Sequence, residues 1–173
     1  MRLILFTVKR FVSLSAFVLA ALFAPVQARA DCPDAPAPKV DWGRCILDGR
    51  DLKGADLTGM ILRDAQFVRA DLSNAHLAKV DATRAKFVAA KLKRADLSGA
   101  RLQDADFSNA DASGASFKGA DIRTAKFIET DLTGADFTGA QVRATDFFHA
   151  DLSGARWIDG AKVCAPGSIG SCQ

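Results

Sequence analysis

The chain has 173 residues, 49% of them hydrophobic and 25% charged, with 23 Lys and Arg against 20 Asp and Glu. The first 30 residues hold four of the basic residues and none of the acidic ones, so the remainder carries 23 − 4 = 19 basic and 20 acidic groups, a net charge near −1. The whole-chain charge of +3 therefore gives no reason to expect nucleic acid or an anionic membrane as a partner.

Residues 1–30 read as a secretory signal peptide. Arg2, Lys9 and Arg10 precede an apolar stretch from Phe11 to Ala24, and Pro25 and the small-residue site Ala28-Arg29-Ala30 follow. Cleavage is expected between Ala30 and Asp31. The alternative, an uncleaved anchor, needs roughly 20 apolar residues to span a bilayer, and this run is shorter. Asp31 before Cys32 argues against a lipoprotein, and Lys9-Arg10 is not a twin-arginine pair. The expected location is the bacterial periplasm or the exterior, with no membrane span after cleavage. Residues 31–44 form a linker and cap, 45–159 a repeat region, and 160–173 a second cap. The four cysteines, Cys32, Cys45, Cys164 and Cys172, are even in number and bound for an oxidising compartment, so they are read as disulfides. On the cysteines alone, three connectivities are open.

From Leu47 to Trp157 every fifth residue is apolar, through 23 positions without an insertion. Two residues before each centre stands Ala in 17 of the 23 cases, and Asp is the commonest residue between them. On a helix a step of five advances about 500° and spirals around all faces; on a flat strand it alternates faces and buries nothing consistently. The period makes sense if the chain turns a corner every five residues, sending the centre and the small residue inward. The residue between them and the two after the centre then face solvent, and Gly two places after the centre suits the corner. A longer period sets the number of sides. Phe67, Phe87, Phe107, Phe127 and Phe147 recur every 20 residues, so four pentads complete one coil and layer like on like.

Ala55-Asp56-Leu57-Thr58-Gly59, Ala95-Asp96-Leu97-Ser98-Gly99 and Ala135-Asp136-Phe137-Thr138-Gly139 carry a resemblance to the pentapeptide repeat family, whose motif is A-[D/N]-[L/F]-x-x. The resemblance implies an all-β fold, a right-handed quadrilateral β-helix, here of 23 pentads in just under six coils and roughly 25–30 Å long at the usual strand spacing. Trp42 with Ile46, and Ile158 with Val163, are expected to plug the two ends. Disulfide Cα atoms lie within about 7 Å, so cysteines at opposite ends of such a rod cannot meet. The expected bridges are Cys32–Cys45 and Cys164–Cys172, one at each end.

Enzyme motifs are absent: no nucleophile elbow, phosphate loop, dinucleotide fingerprint or zinc spacing. His76 and His149 fall on different columns, and no Ser or Thr has a His base beside it. The chain is read as a non-enzyme without cofactor or metal, whose function lies on its outer columns. After each Phe centre come Val68, Val88, Ser108, Ile128 and Phe148, an apolar stripe flanked by Lys86, Lys126 and Glu129. It is a candidate face for a protein partner or a second copy, although β-branched residues also suit exposed strands. Arg63, Arg84, Arg101, Arg123 and Arg143 gather on another face with Asp64, Asp81, Asp104 and Asp121, either as a salt-bridged surface or as a basic face for an anion. Asp51, Asp71, Asp111, Asp131 and Asp151 line a third, where Asp is also the ordinary residue of the motif.

The leading expectation is an exported scaffold binding another protein through the apolar face. The best-known activity of the resembled family, DNA mimicry toward a topoisomerase, fits poorly with export, near-neutral charge and an Arg-rich face. Binding of an anionic polymer through the Arg face is a third reading.

Overall fold

The computed structural model describes Cys32 and residues 40–173. The expected leader, its expected cleavage site and most of the 31–44 segment lie outside the described residues. Parallel bridges join each outward residue to the one 20 places later, from Asp41↔Ile61 through Lys86↔Asp106 to Asp136↔Arg156. Twenty residues therefore make one circuit of a four-sided tube. Its sides are named here by what they carry: the Arg/Asp face (centres Trp42 to Val142), the Phe face (Leu47 to Phe147), the acidic face (Leu52 to Leu152) and the Trp157 face (Leu57 to Trp157). The regular ladder starts at Asp41, which places Trp42 in the centre position of one further pentad.

One pentad shows how the backbone is satisfied. Ala95 N–H donates to the Leu92 carbonyl at 2.9 Å and closes the preceding turn; Asp96 N–H donates to Ala75 in the coil below at 2.9 Å. Leu97 and Gly99 donate to Ser116 and Lys118 in the coil above, both at 2.8 Å. The Ser98 amide alone reaches no backbone acceptor, and it donates to the Asp96 carboxylate at 3.0 Å. Buried or half-buried amides must find partners, so the Asp of the motif is an internal turn acceptor. The same bond recurs at Asp51, Asp111, Asp131 and Asp151 on the acidic face. Gln66 cannot play this part, and the Val68 amide donates instead to Asp48 one coil below, at 2.9 Å.

Inside, like stacks on like. Phe67 and Phe87 lie with ring centroids 5.1 Å apart and 4° between planes, and the series continues through Phe107 and Phe127 at 4.8 and 4.7 Å. Phe117 and Phe137 form a second stack at 5.1 Å and meet the first edge-on, as at Phe117–Phe127. Offset stacks and edge contacts are the favoured aromatic geometries. Volume is conserved locally: where the centre shrinks to Ala82, the usual Ala two places earlier becomes Val80, and both are fully buried. Thr130, buried in place of Ala, donates its hydroxyl to the Phe107 carbonyl at 2.8 Å, and Thr145 does the same to Ile122.

The ends close differently from each other. Trp42 is 1% exposed and seals the first coil. Ile46 and Val163, expected as plugs, point outward at 56% and 53% exposure. Strand side chains alternate: Cys45 and Cys164, their neighbours, take the inward positions, being buried. Ile158 is half-buried and packs on the core. Residues 160–173 reverse direction and lie antiparallel on the last coil, pairing Val163 with Arg156 and Ile169 with Asp151. Disulfides Cys32–Cys45 and Cys164–Cys172 staple the two ends, with Cα atoms 5.8 and 4.9 Å apart.

Candidate partner-binding face

On the Phe face, the residue after each centre occupies a shallow row between two raised rows. Val68, Val88, Ser108 and Ile128 are half-buried rather than fully exposed, and Phe148 stands out at 57%. Neighbours 20 residues above and below lie about 4.8 Å away, and the same position is half-buried on other faces, as at Ser73, Thr83 and Ser113. Its equivalents elsewhere are mostly polar, as at Ser73, Ser113, Thr133 and Ser153 on the acidic face and Arg63, Gln103 and Arg123 on the Arg/Asp face, with Ala78 and Ile158 the apolar exceptions on the Trp157 face. The Phe148 amide donates to Asp146 of its own pentad at 3.0 Å, and its ring stacks on His149 with centroids 3.9 Å apart. A rigid aromatic already fixed in place loses little freedom on binding. Ile46, exposed at the first coil, stands in the neighbouring row with Gln66 and Lys86, while the apolar row itself ends there at Asp48.

The Arg/Asp face is mostly paired with itself. Arg63 donates from Nε to Asp81 at 2.8 Å, and Arg101 approaches the same carboxylate at 3.5 Å. Arg84 meets Asp64 at 2.7 Å and Arg123 meets Asp121 at 2.7 Å. Burial pushes the Asp81 carboxyl up, but hydrogen bonds from Arg63 and Thr83 outweigh it and hold the group below its ordinary value. Asp121 is held low chiefly by the Arg123 guanidinium. Among the five arginines, only Arg143 has no carboxylate partner among the described residues. It borders an open cleft of about 310 Å³ with Gln103, Asp104, Arg123 and Thr124. The cleft mixes both signs of charge, which suits no simple anion.

On the acidic face, Lys53 and Lys91 both reach Asp71, at 3.3 and 3.8 Å. Each of the five acidic residues named in the sequence accepts an amide two residues on. Among the described residues, no group of three or more His, Cys, Asp or Glu is placed to hold a metal ion, and no helix is long and apolar enough to cross a membrane. His76 sits on the Trp157 face and His149 at the far end of the Phe face.

The model of the pentapeptide repeat region matches residues 60–137 and 81–157, more than half of the chain. The chain belongs to the pentapeptide repeat family. Its fold is the right-handed quadrilateral β-helix of that family. Similar solved structures include the pentapeptide repeat protein Rfr23 of the cyanobacterium Cyanothece 51142, at 22% identity, covering 68% of this chain and 90% of that one, with a TM-score of 0.46. A pentapeptide repeat protein of the Arabidopsis thaliana thylakoid lumen shares 28% identity over 68% of this chain and 77% of its own, with a TM-score of 0.35. QnrB1, a plasmid-mediated fluoroquinolone resistance protein, shares 21% identity over 75% and 82%, with a TM-score of 0.30. A search of curated proteins finds no match.

Proposed function

We propose that this family member is an exported, non-enzymatic scaffold, a rod that binds another protein through the Phe face. The observation that supports this reading is Phe148, more than half exposed at the end of a row whose counterparts on the other faces are mostly polar. Aromatic anchors dominate the energetics of protein interfaces, while the polar groups around them contribute little. The leader-like segment at residues 1–30 and the two disulfides support an oxidising compartment, periplasmic or extracellular. The test is site-specific photocrosslinking from position 148 in intact cells. A discrete crosslinked product that disappears when the probe is moved to position 133 on the acidic face supports the reading. Equal labelling from both positions sinks it.

A further inference from the structure

The charges beside the apolar row alternate in sign over four coils, against three on the Arg/Asp face at Asp81, Arg101 and Asp121. The residue before each Phe centre runs Lys86, Asp106, Lys126, Asp146 up the column, alternating in sign at each coil. None of the four makes an ion pair among the described residues. Each of the other faces closes at least one ion pair within the chain, at Arg63–Asp81, Arg84–Asp64, Lys53–Asp71 and Lys118–Asp136.

We infer that the Phe face pairs with the Phe face of a second copy, the two rods lying antiparallel about a two-fold axis that crosses the face between Asp106 and Lys126. This rests on the reading of that face as a docking surface and names its occupant. The geometry follows from the column spacing. A two-fold lying in the contact plane and perpendicular to the rods keeps each column opposite its own column and reverses its order. Lys86 then meets Asp146 of the other copy, and Asp106 meets Lys126, each pair occurring twice. In the apolar row Val88 meets Phe148, and Ser108 meets Ile128. At the corner Asn109 faces Glu129, a hydrogen-bonding match.

The alternation also selects the register. Sliding one copy by a single coil moves the axis onto Asp106 or onto Lys126, and each then faces its own like charge. Sliding by two coils toward the first coil restores the charge match but sets Asp48 against Phe148. Sliding by two coils the other way pairs Lys126 with Asp146 and Ile128 with Phe148 but engages only two coils, so the register centred between Asp106 and Lys126 is the one that satisfies both columns over four coils. Isologous pairing through one self-complementary patch is the commonest form of soluble oligomer, and complementary charge fixes register more than affinity. The contact spans four coils, roughly 19 Å at the usual strand spacing. That is short for a permanent interface, so the dimer is reversible and weakens as salt rises.

Sedimentation of the purified protein should show a monomer–dimer equilibrium whose dissociation constant rises at least about tenfold, or 1.4 kcal/mol, with Lys86→Glu. Lys93→Glu on the acidic face should leave it unchanged. The register is read by mixing two single variants, Lys86→Cys and Asp146→Cys, under mild oxidation. The mixture should give a covalent dimer and neither variant alone should, because position 86 of one copy faces 146 of the other and sits about three coils from itself, beyond disulfide reach. Linkage in a single variant, or a monomer at concentrations up to about 1 mM, overturns the dimer. If the protein is monomeric while position 148 still crosslinks a different protein in cells, the self-pairing is wrong and the partner-binding reading survives. Monomer together with no specific crosslink removes both.

Discussion

At the residue scale, the turn residue two places after each centre departs furthest from ordinary preference. From Arg44 to Gly154 every such corner has positive φ, and fourteen of these residues are not glycine, including Ala89 at 54° and Thr124 at 59°. The left-handed region costs an ordinary L-residue about 1–2 kcal/mol, and glycine regains part of that as backbone entropy in the unfolded chain. Ala89→Gly should therefore raise stability by about 0.5–1 kcal/mol, read as a higher urea midpoint with unchanged slope. The Asp of the motif gives a second test. Asp96→Ala leaves the Ser98 amide without its acceptor and should cost about 1–2 kcal/mol, whereas Asp96→Asn keeps an acceptor oxygen and should cost less than half as much. An Asp column serving a bound cation would lose its function in both variants alike. The glycines at nine corners were readable in the sequence. The corners occupied by Arg, Lys, Glu and Ala were not, because local propensity argues against that conformation and only the ladder on both sides imposes it.

At the element scale, a pentad is stable because of the coils above and below it. Phe107 contacts Phe87 and Phe127 in its own stack and Phe117 edge-on, so Phe107→Ala opens a cavity against three rings. A loss of about 3–5 kcal/mol is expected, visible in chemical denaturation. The caps behave locally. The Cys164–Cys172 bridge closes a short loop of 8 residues in sequence separation, and removing it by Cys→Ser at both positions should cost about 2.5 kcal/mol on the loop-entropy account. Hydrogen exchange should then rise at Leu152, Gly154 and Trp157, whose amides donate to the cap, while the Phe87 and Phe107 coils stay protected. The end plugs were the least legible elements. At the first end the five-residue period itself turns Cys45 inward and Ile46 outward, but past Trp157 the period stops and no longer says which of Val163 and Cys164 points inward. Alternation from the adjacent cysteine decides it, and in both cases the cysteine took the inside.

At the scale of the whole molecule, the path of the chain could be read almost completely, because five-residue and 20-residue periods both leave marks in side-chain size. The candidate site was legible as a column but not as a surface. The sequence predicts an open stripe at Val68, Val88 and Ile128, and the structure half covers them with the rows on either side. Which arginines are already engaged depends on side-chain reach across coils, as when Arg63 and Arg101 converge on one Asp81, and no linear spacing states that. These ion pairs set the acid response. Asp81 and Asp121 titrate lower in the folded protein than the ordinary 3.8, so the stability they contribute is fully present above that value. It is lost as the pH falls through their folded values. The thermal midpoint should therefore be flat from about pH 8 to 5 and drop below about pH 4. Asp81→Asn should make the drop shallower.

The 20-residue bridge from each outward residue to its successor has a consequence for evolution and engineering alike: chain length becomes a discrete variable. Excising 20 residues, such as 90–109, shortens the rod by one layer and leaves everything downstream in phase. Excising five instead turns the entire C-terminal portion through a quarter revolution relative to the rest. Phenylalanines would then sit over leucines and alanines, and no outer row would remain continuous from one end to the other.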